Sequence, residues 1–187
     1  MAGWSTRVNP SRIAYVGLGA NLGDREATLR EAVRRLGNVG QVTAVSSLYE
    51  TDPVGYLKQP PFLNAIVILE TALSAPYLMK ALLAIEHALG RTRTFPNAPR
   101  TLDLDLLFLG DEVTQSPDIT VPHPRLRDRA FVLIPLAEVA PGVLHPALRQ
   151  SIAKLCEALP AETGVRLYAP SGWQITPPED ADMSRDR

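Results

Sequence analysis

The chain has 187 residues, enough for one compact domain with its own core. Apolar residues make up 45% and charged residues 21%, which excludes a disordered chain. A formal net charge of −1 gives no electrostatic footprint for nucleic acid or an anionic membrane, and a single cysteine, Cys156, excludes an internal disulfide and any multi-cysteine metal site.

No apolar run approaches the length of a membrane span, and residues 1–12 hold no signal-peptide segment. A cytoplasmic, soluble protein is expected. Residues 1–11 read as a flexible arm. Residues 13–19 (I-A-Y-V-G-L-G) read as a buried strand, and residues 25–36 as a helix capped by Asp24 and stopped by Gly37. Its stripe is Leu29, Ala32, Val33 and Leu36. The glycines at 17, 19 and 23 are spaced wrongly for a dinucleotide fingerprint and are read as permitting a tight strand-to-helix turn. A second strand is predicted over residues 41–49, a proline-rich loop over 50–61, and a third, central strand over 62–70. Ser74 opens a second helix running to Leu89, with Leu78, Leu82, Ile85 and Leu89 inward and Gly90 at its end. A basic loop over 91–100 follows.

Residues 101–107 alternate polar and apolar, so Leu102, Leu104 and Leu106 share one strand face. Asp103 and Asp105 share the other, about 7 Å apart. Two like charges that close need a positive partner: a divalent cation, or an arginine such as Arg100. A solvated face paired with nearby arginines remains the plain alternative. Beyond Gly110, residues 111–114 are predicted to turn back in a hairpin, residues 121–124 form a rigid loop, and residues 130–139 form a short helix around Pro135. Residues 148–159 read as an amphipathic helix, residues 165–169 as a last strand and residues 176–187 as a flexible tail. One domain over residues 12–170 is the simplest division.

The order strand-helix-strand, repeated, is the split βαβ arrangement. The fold class is therefore α+β: a ferredoxin-like antiparallel sheet with helices on one face and an added C-terminal helical and loop segment. The other face is expected to be open, with the aspartate pair on it.

Three features converge on that pair. Arg91, Arg93 and Arg100 lie in the basic loop, and arginines beside a carboxylate pair suit a polyphosphate with its metal. His123, between two prolines, is followed by Arg125, Arg127 and Arg129; a packed structural histidine explains it equally well. Tyr49, Phe62, Asn64 and Phe131 suit a flat heterocycle, though core packing also explains aromatics.

The segments Y-V-G-L-G-A-N-L-G-D, S-S-L-Y-E-T-D-P-V-G, F-L-N-A, R-T-L-D-L-D-L-L and V-P-H-P-R-L-R-D-R-A-F-V-L-I-P-L occur in that order over about residues 12–145. In this the chain resembles the 6-hydroxymethyl-7,8-dihydropterin pyrophosphokinases, folate-pathway enzymes that use ATP. The resemblance implies that Asp103 and Asp105 hold two Mg²⁺ ions across ATP. It implies that Arg91 and Arg93 close over ATP on a mobile loop and that Arg100 contacts phosphate or the assembled site. His123, Arg129 and Glu86 fall on the nucleotide side. Phe62 and Phe131 would stack on the pterin and Asn64 bond its edge. Thr51, with the backbone of Asp52 and Val54, would complete that pocket. The partners implied are ATP and the hydroxymethyldihydropterin, acted on by a monomer. The chain departs from the family pattern in the basic loop, which has no tryptophan and reads Pro96-Asn97-Ala98-Pro99-Arg100. Thr94 replaces a basic residue, Asp52 a proline and Phe62 a tyrosine.

Two other readings compete with this one. A ferredoxin-like ligand-binding module would leave the aspartates, the arginine loop and the histidine loop unexplained together. Another Asp-x-Asp metal enzyme, such as a glycosyl transferase, would need a larger chain.

Overall fold

The computed structural model describes residues 10–92, 95, 97–117 and 119–175. Residues 1–9 of the arm read over 1–11, the tail read over 176–187, and Arg93 of the basic loop lie outside the described residues. The main sheet has six strands. Strand β1 (Arg12–Ala20) runs antiparallel between β4 (Phe62–Thr71) and β5 (Asp103–Leu109). Beyond β4 lie β2 (Gln41–Val45) and β3 (Leu48–Thr51), and β8 (Val165–Ala169) closes the far edge against β3. β4 is the central strand and is buried along nearly its whole length, as its unbroken apolar run requires.

Helices α1 (Arg25–Leu36) and α2 (Ala75–Ala88) cover one face. Asp24 caps α1 by accepting from the Ala27 N–H at 3.0 Å, and Leu29, Ala32, Val33 and Leu36 are the buried stripe. Leu78, Leu82 and Ile85 of α2 join Leu104 and Leu106 in the same core. Each such buried leucine stabilises by about 1.5–3 kcal/mol. This is the ferredoxin-like arrangement.

The other face is only half open. Helix α3 (Ala130–Val139) packs Val132, Leu133 and Leu136 there against Ile66, Leu107 and Phe108, with α4 (Ile152–Glu157) behind it. A bulge in the β1–β5 ladder makes this possible. The pairing shifts between Tyr15↔Phe108 and Val16↔Leu106, so Leu107 is the extra residue. Leu107 and Phe108 therefore both turn to the α3 side, while Leu106 and Leu109 stay on the α1–α2 side. The uncovered half, N-terminal to the bulge, carries Asp103 and Asp105.

Other segments also differ from the pattern expected. The strand read over 41–49 is two strands broken at Ser46-Ser47. The Ser46 hydroxyl accepts from the Ile66 N–H, and Ser47 donates through both N–H and hydroxyl to Glu138 of α3. These side chains offer the backbone an alternative to the ladder. The helix read over 148–159 shrinks to α4. Its first turn is lost because Arg149 has φ 55° and the His145 ring accepts from the N–H groups of Ala147 and Leu148, which curls the chain before Ser151 caps the helix. The hairpin near 111–114 falls later, between β6 (Thr114–Gln115) and β7 (Thr120–Val121), outside the main sheet. Gly17 and Gly19 lie inside β1; at the turn only Gly23 has positive φ, at 66°.

Candidate active site

The register of β1 places Gly17 beside Asp105 and Gly19 beside both Asp103 and Asn64. With no side chain on these two residues the sheet is bare next to the carboxylates. A Cβ on Gly19 would come within 3.1 Å of Asn64 Oδ1, so the glycine there keeps space beside a polar group. A sequence reading that confines the glycines to a turn misses this. The signal available was glycine at alternate positions of a strand whose neighbours are apolar.

Above this floor is an open cavity of about 400 Å³. Phe62 and Asn64 of β4, Phe131 of α3, Thr51 and Val54 line it, together with Arg100, Asp103, Asp105 and Arg129. Asn64 is buried and donates to the Thr51 hydroxyl at 2.7 Å, which fixes its amide. Asp52 is not among the lining residues. Its carboxylate pairs with Arg166 at 3.0 Å and its N–H donates to the Gly164 carbonyl. Both contacts tie it to β8 and the turn before that strand.

A second, charged cavity of about 540 Å³ opens on the other side of the same aspartates. Glu86, Arg91, His123 and Phe95 line it, and Arg100, Arg125 and Arg129 are shared with the first. Glu86 is 3% exposed; its carboxylate accepts from the Leu104 N–H at 2.8 Å and pairs with Arg91. That buried carboxylate holds Arg91, which reaches on to Asp103. Arg100 meets Asp103 from the other side at 2.9 Å, and Arg129 meets Asp105 at 3.0 Å. Of the two partners open to the like charges, arginines are in place on both carboxylates. The same guanidiniums face the aromatic walls: Arg100 lies 5.1 Å from the Phe62 ring centre and Arg129 5.5 Å from that of Phe131.

His123 is fixed by its backbone, whose N–H donates to the Leu107 carbonyl at 3.0 Å, and by its ring, whose Nδ1 accepts from the Arg125 N–H at 3.2 Å. Burial pushes its pKa below the ordinary value, Asp105 opposes the shift, and Arg129 and Arg125 add to it. The neutral ring therefore carries its proton on Nε2. Arg100 Nε is buried with no hydrogen-bond partner among the described residues, as is Thr101 Oγ1. Arg100 lines both cavities, so its open donor beside the carboxylate pair is a position for a ligand oxygen.

The sequence profile of the 7,8-dihydro-6-hydroxymethylpterin-pyrophosphokinase family (HPPK) matches residues 15–141. The chain belongs to this family. It is 45% identical over 163 residues to the 2-amino-4-hydroxy-6-hydroxymethyldihydropteridine pyrophosphokinase of Bacillus subtilis, a match covering 84% of this chain and 91% of that protein. The Pseudomonas aeruginosa protein of the same name is 40% identical, with 82% and 95% covered. The folic acid synthesis protein fol1 of Schizosaccharomyces pombe is 38% identical, but the match spans 85% of this chain and only 22% of that longer protein. Among solved structures, a Plasmodium falciparum HPPK-DHPS superposes with a TM-score of 0.67 at 16% identity, over 81% of this chain and 46% of that one. This last likeness is one of fold. No helix among the described residues is long and apolar enough to cross a membrane.

Proposed function

We propose that this HPPK-family protein transfers the pyrophosphoryl group of ATP to the hydroxymethyl oxygen of 6-hydroxymethyl-7,8-dihydropterin, a step of folate synthesis. One observation carries the reading: a cavity with aromatic walls and a charged cavity share one edge, formed by Asp103, Asp105, Arg100 and Arg129. A bisubstrate transfer needs that arrangement, with each substrate in its own pocket and the reacting atoms at the boundary.

In this reading the pterin lies between Phe62 and Phe131, with Asn64 on its edge and its hydroxymethyl group toward the aspartates. The triphosphate lies along Arg91, Arg100, Arg129 and His123. The hydroxymethyl oxygen forms a bond to the β-phosphorus, the bond from that phosphorus to the α-phosphate oxygen breaks, AMP leaves, and the hydroxyl proton passes to solvent. Arg100 and Arg129 can orient both partners, because each already spans an aromatic wall and an aspartate. Guanidiniums bind phosphate oxygens in bidentate geometry and stabilise charge as it redistributes. His123 Nε2–H is a further neutral donor. Arg93 is proposed to act with Arg91 on ATP, as the family resemblance implies.

Asp103 and Asp105 fit Mg²⁺. They are hard oxygen donors on one strand face, and phosphate and water oxygens could complete the coordination of such ions. Two such ions, bound by this pair, would supply charge neutralisation of the triphosphate. The arginines now on the aspartates would then be released to the phosphates.

Incubation with Mg²⁺, ATP and 6-hydroxymethyl-7,8-dihydropterin tests this directly, with the nucleotide product identified by chromatography. AMP formed together with the pterin diphosphate is expected. ADP as product, or no turnover, overturns the assignment.

A further inference from the structure

Asn21 takes no part in the transfer proposed above, yet it is 2% exposed and all of its side-chain polar atoms are bonded. It lies just beyond β1. Its N–H donates to the Arg100 carbonyl at 3.1 Å, and its Oδ1 accepts from the Arg100 N–H at 2.8 Å. Its Nδ2 donates to Gln59 Oε1 at 2.9 Å and to the Pro60 carbonyl at 3.0 Å. Gln59 completes the ring, its Nε2 donating to the Asn97 carbonyl at 3.1 Å. One buried amide therefore ties the loop over residues 52–61, which borders the aromatic cavity, to the end of the basic loop, which borders the charged one. The tie reaches both sites through Arg100, whose guanidinium faces Phe62 and pairs with Asp103.

We propose that Asn21 is a positioning residue that couples the two cavities. The physical reason is the cost of leaving a buried polar group unpaired. A ligand that fixes Arg100 on the nucleotide side fixes Gln59 and Pro60 on the pterin side, because neither loop can shift without orphaning Asn21. Linkage makes the effect reciprocal. The proposal rests on the reading of the two cavities as the ATP and pterin sites.

The test is calorimetric titration of 6-hydroxymethyl-7,8-dihydropterin into the whole protein, with and without saturating Mg²⁺ and α,β-methylene-ATP, whose bridging carbon blocks transfer. In the wild-type protein the analogue should tighten pterin binding by at least about fivefold, the low end of ordinary site coupling. Asn21→Asp keeps the acceptor for Arg100 and removes both donors to residues 59 and 60. Gln59→Ala removes one of the two acceptors of that amide and the bond to the Asn97 carbonyl at a partly exposed position, and leaves the bond to the Pro60 carbonyl in place. In Asn21→Asp the tightening should fall below about twofold, and in Gln59→Ala it should fall to about half of the wild-type factor, while affinity for the analogue alone stays within about threefold in both. The pterin KM should rise more than kcat falls. A merely structural role would lower the melting temperature and leave the coupling factor unchanged; that result in Gln59→Ala overturns the proposal, whether or not Asn21→Asp folds. If the wild-type protein binds neither ligand, the proposed function falls and the coupling with it. If it turns both over with no mutual tightening, the coupling alone falls.

Discussion

The two halves of the sheet face opposite α1 and α2 are made from the same strands and differ in what lies above them. Beyond the bulge at Leu107, β5 turns Leu107 and Phe108 under α3, and that half is dry core. Before the bulge, the same face of β5 carries Asp103 and Asp105, β1 contributes only glycine beside them, and arginines from two loops are the covering. One strand is thus anchored by leucines on both sides at one end and left with a single anchored side at the other. The anchored half makes the exposed half stiff. Carboxylates on a strand whose Leu104 and Leu106 are fully packed cannot swing together or apart, which is the condition for holding charges at a fixed spacing.

If that division is right, substitutions in the two halves should fail in different ways. Asp105→Ala or Asp103→Ala should lower AMP formation at saturating Mg²⁺ by about 10³-fold or more, roughly 4 kcal/mol at the transition state, with the unfolding midpoint nearly unchanged. Near-normal turnover in either variant would remove the carboxylates from the chemistry. Phe108→Ala, on the same face of the strand but beyond the bulge and under α3, should instead cost about 3–5 kcal/mol in urea unfolding through the cavity it leaves. The folded fraction should keep its kcat. A comparable loss of kcat in folded Phe108→Ala would show that the halves are not separable.

Alternation up to Leu106, together with the strand-helix order, was enough to set Leu102, Leu104 and Leu106 against the helices and the aspartates opposite. It could not show the bulge, because a doublet such as Leu107-Phe108 looks the same whether a strand is buried on both faces or changes parity. The missing opening of the second face follows from the same fact: α3 was predicted as a helix, but what it covers depends on where that parity changes. The arginine partners of Asp103 were half legible. Arg100 is close in sequence, whereas Arg91 is placed by Glu86, a buried carboxylate in an otherwise ordinary helix turn. Asp52 is read through its backbone, from the family resemblance; its side chain pairs with Arg166, on a strand more than a hundred residues away, which no local pattern could show. Asn21 left no periodic trace, since its partners at 59, 60 and 100 meet only in the folded chain.

Phe131 stands on the border between the two halves, on α3 but facing the cavity. Phe131→Ala should weaken pterin binding by about 2 kcal/mol, roughly 30-fold, from lost aromatic contact. Binding of the ATP analogue should change much less. Separate titration of each ligand checks this, and equal losses for both would mean that Phe131 supports α3 and not the pterin. Gly19→Ala makes the complementary probe. Its Cβ presses on Asn64 Oδ1 from the floor, so it should raise the pterin KM with no strain in backbone φ.

The smallest effect belongs to the covered half and comes from a histidine. His145 packs its ring edge-on against Phe108 at 5.3 Å, and its Nδ1 accepts from the N–H groups of Ala147 and Leu148. Burial holds its pKa below the ordinary 6.5. The unfolded chain therefore takes up the proton at higher pH than the folded one, and the contribution is complete above 6.5 and lost as pH falls from there through the depressed folded value. Protonation at Nδ1 would also replace an acceptor of two N–H groups with a donor. His145→Ala should lower stability by about 1–3 kcal/mol at neutral pH, from the orphaned N–H groups, and by less in acid. Taking the difference between variant and wild type across urea melts from neutral to acid pH cancels His123, whose pKa is also depressed but whose surroundings are unchanged. A difference that stays constant with pH would mean that His145 acts by shape alone. A difference that shrinks toward acid, with pterin and nucleotide affinities unaltered, would keep the covered half a matter of stability and the bare half one of chemistry.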